Sequence, residues 1–162
     1  MSLADTLLPE FDQEMATTRR VLERVPSDRG DWKPHAKSFS MAHLAQLVSM
    51  IPDWITQTLK KTEINLAGGA GYSNQKTESL VQQFDKNVKE ARAAIAATKD
   101  KDFDVKWSLK MGEQVLLTQT RAEGVRSHIS HLVHHRAQLG MYLRLVDVPV
   151  PQMYGPTADE KW

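Results

Sequence analysis

Residues 127–144 read S-H-I-S-H-L-V-H-H-R-A-Q-L-G-M-Y-L-R, and the reading of this stretch decides the fold. Its period predicts the longest helix of the chain, from about Thr120 to Leu145. The line through positions 128, 131, 135, 138, 142 and 145 carries His, His, His, Gln, Tyr and Leu. Steps of three and four residues mark a face turned into a bundle, and such a face is normally apolar. Imidazoles there need either a ligand or a hydrogen-bond partner each. His131 and His135 are four apart, so their rings lie on one face, one turn apart. Two imidazoles at that spacing reach a single metal ion.

Outward from this helix, three more amphipathic segments precede it. The first spans roughly Leu3 to Val25, with Leu8, Phe11, Met15, Thr18, Leu22 and Val25 as its stripe. Pro26, Asp28 and Gly30 end it, and Trp32, Pro34 and His35 sit in the connection. The second starts near Ser38 or Ser40, either of which suits an N-cap, and builds its face from Met41, Leu44, Val48, Ile51 and Ile55. Pro52 lies inside that pattern and predicts a kink. The glycine-rich run at 66–71 predicts a flexible loop. The third helix runs from about Thr77 to Ala97, with Leu80 or Val81, Phe84, Val88, Ala91 and Ile95 inward. Between Lys99 and Thr118 the period changes: Phe103, Val105 and Trp107 alternate with polar residues, and 110–113 suit a turn. That segment is either a short hairpin or an irregular crossover. A Pro-punctuated extended tail, V-P-V-P-Q-M-Y-G-P, follows the last helix. The expectation is an all-α fold, an antiparallel four-helix bundle with long crossover connections, as one domain over 1–162.

Composition narrows the function classes. The 162 residues suffice for a real core, and 41% hydrophobic with 25% charged residues suits a globular protein. A formal net charge of +1 gives no basic excess to attract nucleic acid. No stretch approaches the ~20 apolar residues of a membrane span. The first ten residues lack a basic region and a long apolar run, so a cytoplasmic location is expected. The chain has no cysteine, so any thiol chemistry requires a thiol from outside. There is no phosphate loop, dinucleotide fingerprint or Ser-His-Asp order in a helpful context.

Four stretches together resemble the DinB-like (YfiT-like) family: W-K-P-H-A-K-S from Trp32, M-A-H-L-A-Q-L-V-S-M-I-P-D-W from Met41, S-H-L-V-H-H-R-A-Q-L from Ser130, and V-P-V-P-Q-M-Y-G-P-T-A-D-E from Val148. The resemblance covers nearly the whole chain. It implies a helical bundle with a long connection between the second and third helices. It also implies a divalent metal, nickel or zinc in many members, on three histidines: one from the second helix and two from the His-x-x-x-His that falls on His131 and His135. Characterised relatives include transferases and an isomerase that use low-molecular-weight thiols such as bacillithiol or mycothiol. The family name implies no DNA binding.

One position departs from that pattern. Aligned on K-S-x-S and I-P-x-W, the family's helix-two histidine falls on Leu47, and His43 lies one turn earlier. On a helical wheel Leu47 falls within the apolar stripe and His43 at its edge. The metal-ligand candidates are therefore His131 and His135, with His43 as the third. His128, Gln138 and Tyr142 share their face and are candidates for substrate contact or for orienting a ligand histidine. His134 is expected on a flank, and His35 in a loop. Two functions follow. One is a metal-dependent transferase of a small thiol, or a hydrolase using metal-bound water. The other is a non-enzymatic bundle with a degenerate metal site, acting in small-ligand binding or as a homodimer.

Overall fold

Two reciprocal caps fix where the outer helices begin. Ser2 accepts from the Asp5 amide and Asp5 accepts from the Ser2 amide, and Thr120 and Glu123 do the same. In the computed structural model, which describes residues 1–69 and 71–162, these caps open the first and last of five helices. The order is α1 (Leu3–Leu22), α2 (Met41–Lys60), β1 (Glu63–Asn65), α3 (Thr77–Ala97), α4 (Asp100–Phe103), β2 (Lys106–Met111), β3 (Gln114–Thr120) and α5 (Arg121–Leu145). Ser40, the later of the two candidates, caps α2 through the His43 amide. The helix α1 stops at Leu22, three residues short of the expected Val25, and α2 runs unbroken through Pro52. Ala70, inside the glycine-rich loop, lies outside the described residues.

The all-α expectation is corrected by a three-stranded sheet in the order β1-β2-β3. The hairpin is β2 against β3, antiparallel, turned at Gly112 with φ of 60°. The strand β1 pairs parallel with β2, Ile64 opposite Leu109. Three residues are too few for an alternating pattern to register, and the partner strand is remote in sequence. The α-helical count also changes, because the single turn α4 precedes β2.

Contacts between helices set their directions. Arg19 pairs with Asp85 and Arg92 with Asp12, so α1 and α3 are antiparallel. Thr58 meets His128 while Tyr142 meets Phe39, so α2 and α5 are antiparallel. Glu10 pairs with Arg126 and Glu14 with Arg136, so α1 and α5 are parallel. In the same way Asn87 bonds to Ser49, and Leu59 lines one cavity with Ala94, so α2 and α3 are parallel. The bundle is thus up-down-down-up, and only two of its four neighbouring pairs match the expected antiparallel order. Parallel α2 and α3 force the connection over 61–76 to return along the bundle. On its way it forms β1, supplies Leu66 beside α5, and brings Tyr72 to His43.

The core joins Leu7, Phe11 and Leu22 of α1 to Leu44, Val48, Ile51 and Ile55 of α2, Leu80, Phe84 and Ile95 of α3, and Val125, Leu132, Leu139 and Leu143 of α5. The expected stripes of the first three helices hold except at Leu8 and Val88, which are only partly buried beside the buried Leu7 and Asn87. After α5 the chain turns at Asp147, a non-glycine residue with φ of 61°. The Val148 amide donates to the Leu143 carbonyl and the Asp147 amide to the Arg144 carbonyl, the Schellman pattern. The tail then folds back over α1 and α5. Glu160 takes Arg20, Arg24 and the Gln152 amide, and Asp159 takes Arg144 and the Val150 amide. No described helix is long and apolar enough to cross a membrane.

Candidate functional site

The face of α5 that enters the core differs from the line expected to do so. Val125, Ile129, Leu132, Arg136, Leu139 and Leu143 are each at most 2% exposed, whereas Gln138 and Leu145 of the expected line face solvent. The histidines occupy the flank next to this line, turned toward α2 and its returning connection. His128 and His135 are buried there and His131 is half-buried. Aliphatic residues alternate with the imidazoles along the helix, so the two lines lie side by side, and of the expected one His128, His135 and Tyr142 are buried while Gln138 and Leu145 are not.

On this flank the imidazoles are linked by hydrogen bonds. His131 Nε2 and His135 Nε2 lie 2.8 Å apart. His135 Nδ1 lies 2.8 Å from Gln138 Oε1, and Gln138 Nε2 lies 3.1 Å from His134 Nε2. An amide oxygen only accepts, so His135 carries its proton on Nδ1. Neutral His135 then accepts at Nε2 from His131. Gln138 in turn donates to His134, which is exposed as expected. Burial lowers the pKa of both His131 and His135, and each is lowered further by a neighbouring histidine. Both are therefore biased toward the neutral form that can accept a proton or bind a metal.

Convergent, neutral ring nitrogens suit a metal, but the donor set stops at two. Among the described residues no three His, Cys, Asp or Glu side chains are grouped to hold an ion. Ring nitrogens on a tetrahedral zinc ion stand about 3.3 Å apart, so this pair would have to open by about half an ångström. Leu47, where the third histidine is expected from the resemblance, is 5% exposed within the apolar core. His43 is occupied elsewhere. Its ring stacks between Phe39, with centroids 4.0 Å apart, and Tyr72, at 3.8 Å. His43 is close enough to His135 for their charges to repel, and burial with that repulsion lowers its pKa. The structure therefore brings His131, His135 and Gln138 into direct contact and places His43 nearby in an aromatic stack. The residues present do not make a three-histidine centre.

Toward the start of α5 the same flank becomes aromatic. His128 Nε2 lies 3.1 Å from Thr58 Oγ1, and Trp54 and Trp107 meet the ring edge-on at 5.9 and 5.8 Å. Burial pushes its pKa down to about 4, so it is uncharged at neutral pH. Trp54 also lies 5.7 Å from His131. These rings border a cavity of about 220 Å³ between α2, α5 and the sheet, with Ile64, Leu66, Leu109 and Leu117 completing the apolar wall. Tyr142, at the other end, donates its hydroxyl to the Phe39 carbonyl at 3.1 Å and meets Trp32 edge-on. It fastens the start of α2 to α5.

Sequence reasoning assigned no role to Arg136, Glu14 or Tyr154. Arg136 Nη1 pairs with Glu14 Oε2 at 2.6 Å, and Nη2 donates to Tyr154 Oη at 2.9 Å. Tyr154 donates to both Glu14 carboxylate oxygens. One signal was available: Glu14 sits among Phe11, Met15 and Thr18 on the apolar face of α1. The tail motif is thus tied to the bundle interior by its tyrosine and to the surface by Asp159 and Glu160.

A family model described as the DinB family matches residues 1–161. No curated protein matches the chain. Among solved structures, a DinB-like protein from Bacillus subtilis superimposes with a TM-score of 0.70 at 14% identity, covering 97% of this chain and 99% of its own. A DinB-like protein from Bacillus cereus does so with a TM-score of 0.71 at 18% identity, covering 91% and 95%. At such identities the likeness speaks for the fold.

Proposed function

Since the chain belongs to the DinB family, we propose that it works as a small-molecule-binding bundle whose family metal centre is degenerate. The observation that carries this reading is the His131–His135 pair, which spends its Nε2 atoms on one another while position 47 offers a leucine. A metal held open for catalysis usually has three protein donors. With two, affinity falls to that of a chelating pair on a helix. The cavity that His131 helps to line gives a small molecule room, and Gln138 holds His135, the hydrogen-bond partner of His131, in a fixed tautomer. Elemental analysis of freshly purified protein, with His131→Ala alongside, tests the reading. Nickel and zinc well below one per chain in both proteins is the expected result. Stoichiometric metal that vanishes in the variant would overturn it.

A second reading is favoured by the convergence of the two ring nitrogens. It is a divalent-metal-dependent transferase using a low-molecular-weight thiol, with nickel or zinc on His131 and His135 and its other ligands from outside the chain. When bound, such an ion lowers the pKa of a thiol and so supplies a nucleophile. The support from this chain is the neutral, oriented His135 and the lack of any cysteine of its own. Thiol transfer from bacillithiol that requires added metal, and is lost in His135→Ala, is the result that would favour this reading over the first.

A further inference from the structure

An open strand edge is a hazard that folded chains usually blunt with charge, proline or cover. The strand β3 carries neither charge nor proline. It pairs only with β2, so its other edge has no strand partner among the described residues. From Gln114 to Thr120 it reads Q-V-L-L-T-Q-T. Its aliphatic side chains stand in solvent: Val115 is 52% exposed, Leu116 47% and Leu117 43%, with Met111 at 48% across the turn. No other stretch of the described chain exposes three large apolar residues in a row. Such a cluster marks an interaction site.

One protective feature is present, and it shapes the contact. Lys110 lies opposite Val115 and Leu109 opposite Leu117, so Leu116 is a bulge with no opposite residue on β2. A bulge interrupts the outward row of backbone groups and so opposes a continued ladder. It leaves the side chains uncovered. The edge therefore suits a contact between side chains, centred on Leu116.

The residues around that centre say what seats there. A second copy laid antiparallel about Leu116 sets Leu116 against itself, Val115 against Leu117, and Gln114 against Thr118. Aliphatic meets aliphatic and polar meets polar, as a two-fold contact requires. Charge at the two ends agrees. Glu113 sits at the turn, while Lys106, opposite Thr120, and Arg121 sit at the far end of β3. Neither Glu113 nor Lys106 is in an ion pair among the described residues. The antiparallel arrangement brings each Glu113 toward the basic end of the other copy, whereas a parallel one sets like charge on like. The strip supplies about ten residues a side, against the roughly 20–30 of a standard stable interface, so the association is weak and reversible.

We propose that the exposed edge of β3 joins two copies of this chain, antiparallel about a two-fold axis at Leu116. The contact requires neither a metal nor a ligand in the bundle, and it goes beyond the reading of the chain as a small-molecule binder.

Sedimentation equilibrium of the full chain, from micromolar to millimolar concentration, tests the proposal. The parent is expected to pass from monomer to dimer across that range. Leu116→Lys sets like charges together at the axis and should weaken the dimer at least about tenfold, as should Leu116→Glu. An equimolar mixture of those two variants should associate at least about tenfold more tightly than either alone, because at the axis residue 116 meets itself. Both variants should keep the parent's circular dichroism and thermal midpoint, since the side chain is exposed. Glu113→Lys, at the rim, should weaken the dimer by a smaller factor of about three. A parent that stays monomeric throughout would overturn the proposal and leave β3 to an uncharged segment of another protein. A dimer that Leu116→Lys and Leu116→Glu leave intact would overturn it by placing the interface elsewhere. So would a mixture that associates no better than its components, and so would loss of the fold in these variants, which would place Leu116 in the packing of its own chain.

Discussion

Arg136 of α5 and Glu14 of α1 form an ion pair in which the guanidinium side chain is 1% exposed and the carboxylate 9%. The pair is locked from the tail by Tyr154, whose ring also lies under the guanidinium with the Arg136 Cζ 5.2 Å from its centroid. Removing one member leaves the other charged in the interior. Arg136→Met is therefore expected to cost about 3–5 kcal/mol in urea unfolding, and Glu14→Leu a similar amount. The double variant should be far less destabilised than the sum, because no uncompensated charge remains. Additive losses would show that the two side chains contribute independently, against the pairing described.

Leu47 is where the metal question is decided. The residue lies in the apolar face of α2, and the nearest histidine on that helix is held between two aromatic rings. Leu47→His supplies the donor that the family pattern has and this chain lacks. The variant is expected to bind nickel or zinc at least about tenfold more tightly than the parent, by the loss of two-donor chelation in favour of three. Isothermal titration of both proteins measures it. An unchanged affinity would mean that position 47 does not reach the His131–His135 pair.

The legible parts of this fold were those with local causes. Helix α3 was read to the residue because Leu80, Phe84, Ala91 and Ile95 keep one period between clear stops. The turn at Gly112 was one of two readings of 99–118, drawn from the alternation of Phe103, Val105 and Trp107 before it and the turn-forming residues at 110–113. What escaped depends on remote partners. The strand β1 exists only through pairing with β2, and the parallel run of α2 and α3 is set by side chains such as Asn87 meeting Ser49. In the site, the His131–His135 pair followed from four-residue spacing. The displaced core line of α5 did not, because Arg136, a charged residue, occupies the interior position in it, and its neutralising partner is far away in sequence. Likewise Phe39 and Tyr72 carry no signal that they would stack on His43.

The buried His128 makes stability depend on pH. Its folded pKa, about 4, lies below the ordinary value of 6.5. A histidine with a depressed folded pKa favours the native state fully above the ordinary value, and that contribution fades as pH falls through the window between the two. By pH 4 the loss is about 3 kcal/mol from His128 alone. His43, His131 and His135 are shifted the same way, mainly by burial, and add to it. Urea midpoints should therefore drop between pH 6.5 and 4. His128→Gln, which keeps a polar partner for Thr58, should flatten part of that slope. A variant with the parent's slope would place the titrating group elsewhere.

Gly124 lets α5 approach α2 beside the aromatic cavity. A Cβ at this position would stand 2.8 Å from Thr58 Cγ2 and 3.3 Å from Gln119 Nε2. Threonine is stiff at its first torsion, and Thr58 is also held by His128 through its hydroxyl. The methyl group therefore cannot swing aside without breaking that hydrogen bond. Helix propensity alone would make Gly124→Ala stabilising by about 1 kcal/mol. Overpacking costs about 1–3 kcal/mol and here falls on a side chain with no free rotamer, so the net effect should be a loss. The same change should disturb the His128 ring more than the remote His35 ring in an NMR titration. Gly124→Ala paired with Thr58→Ser removes the clashing methyl and keeps the hydroxyl, so it should restore both stability and the His128 signal. Failure of that pair to recover would assign the loss to the helix backbone instead of to the contact with Thr58.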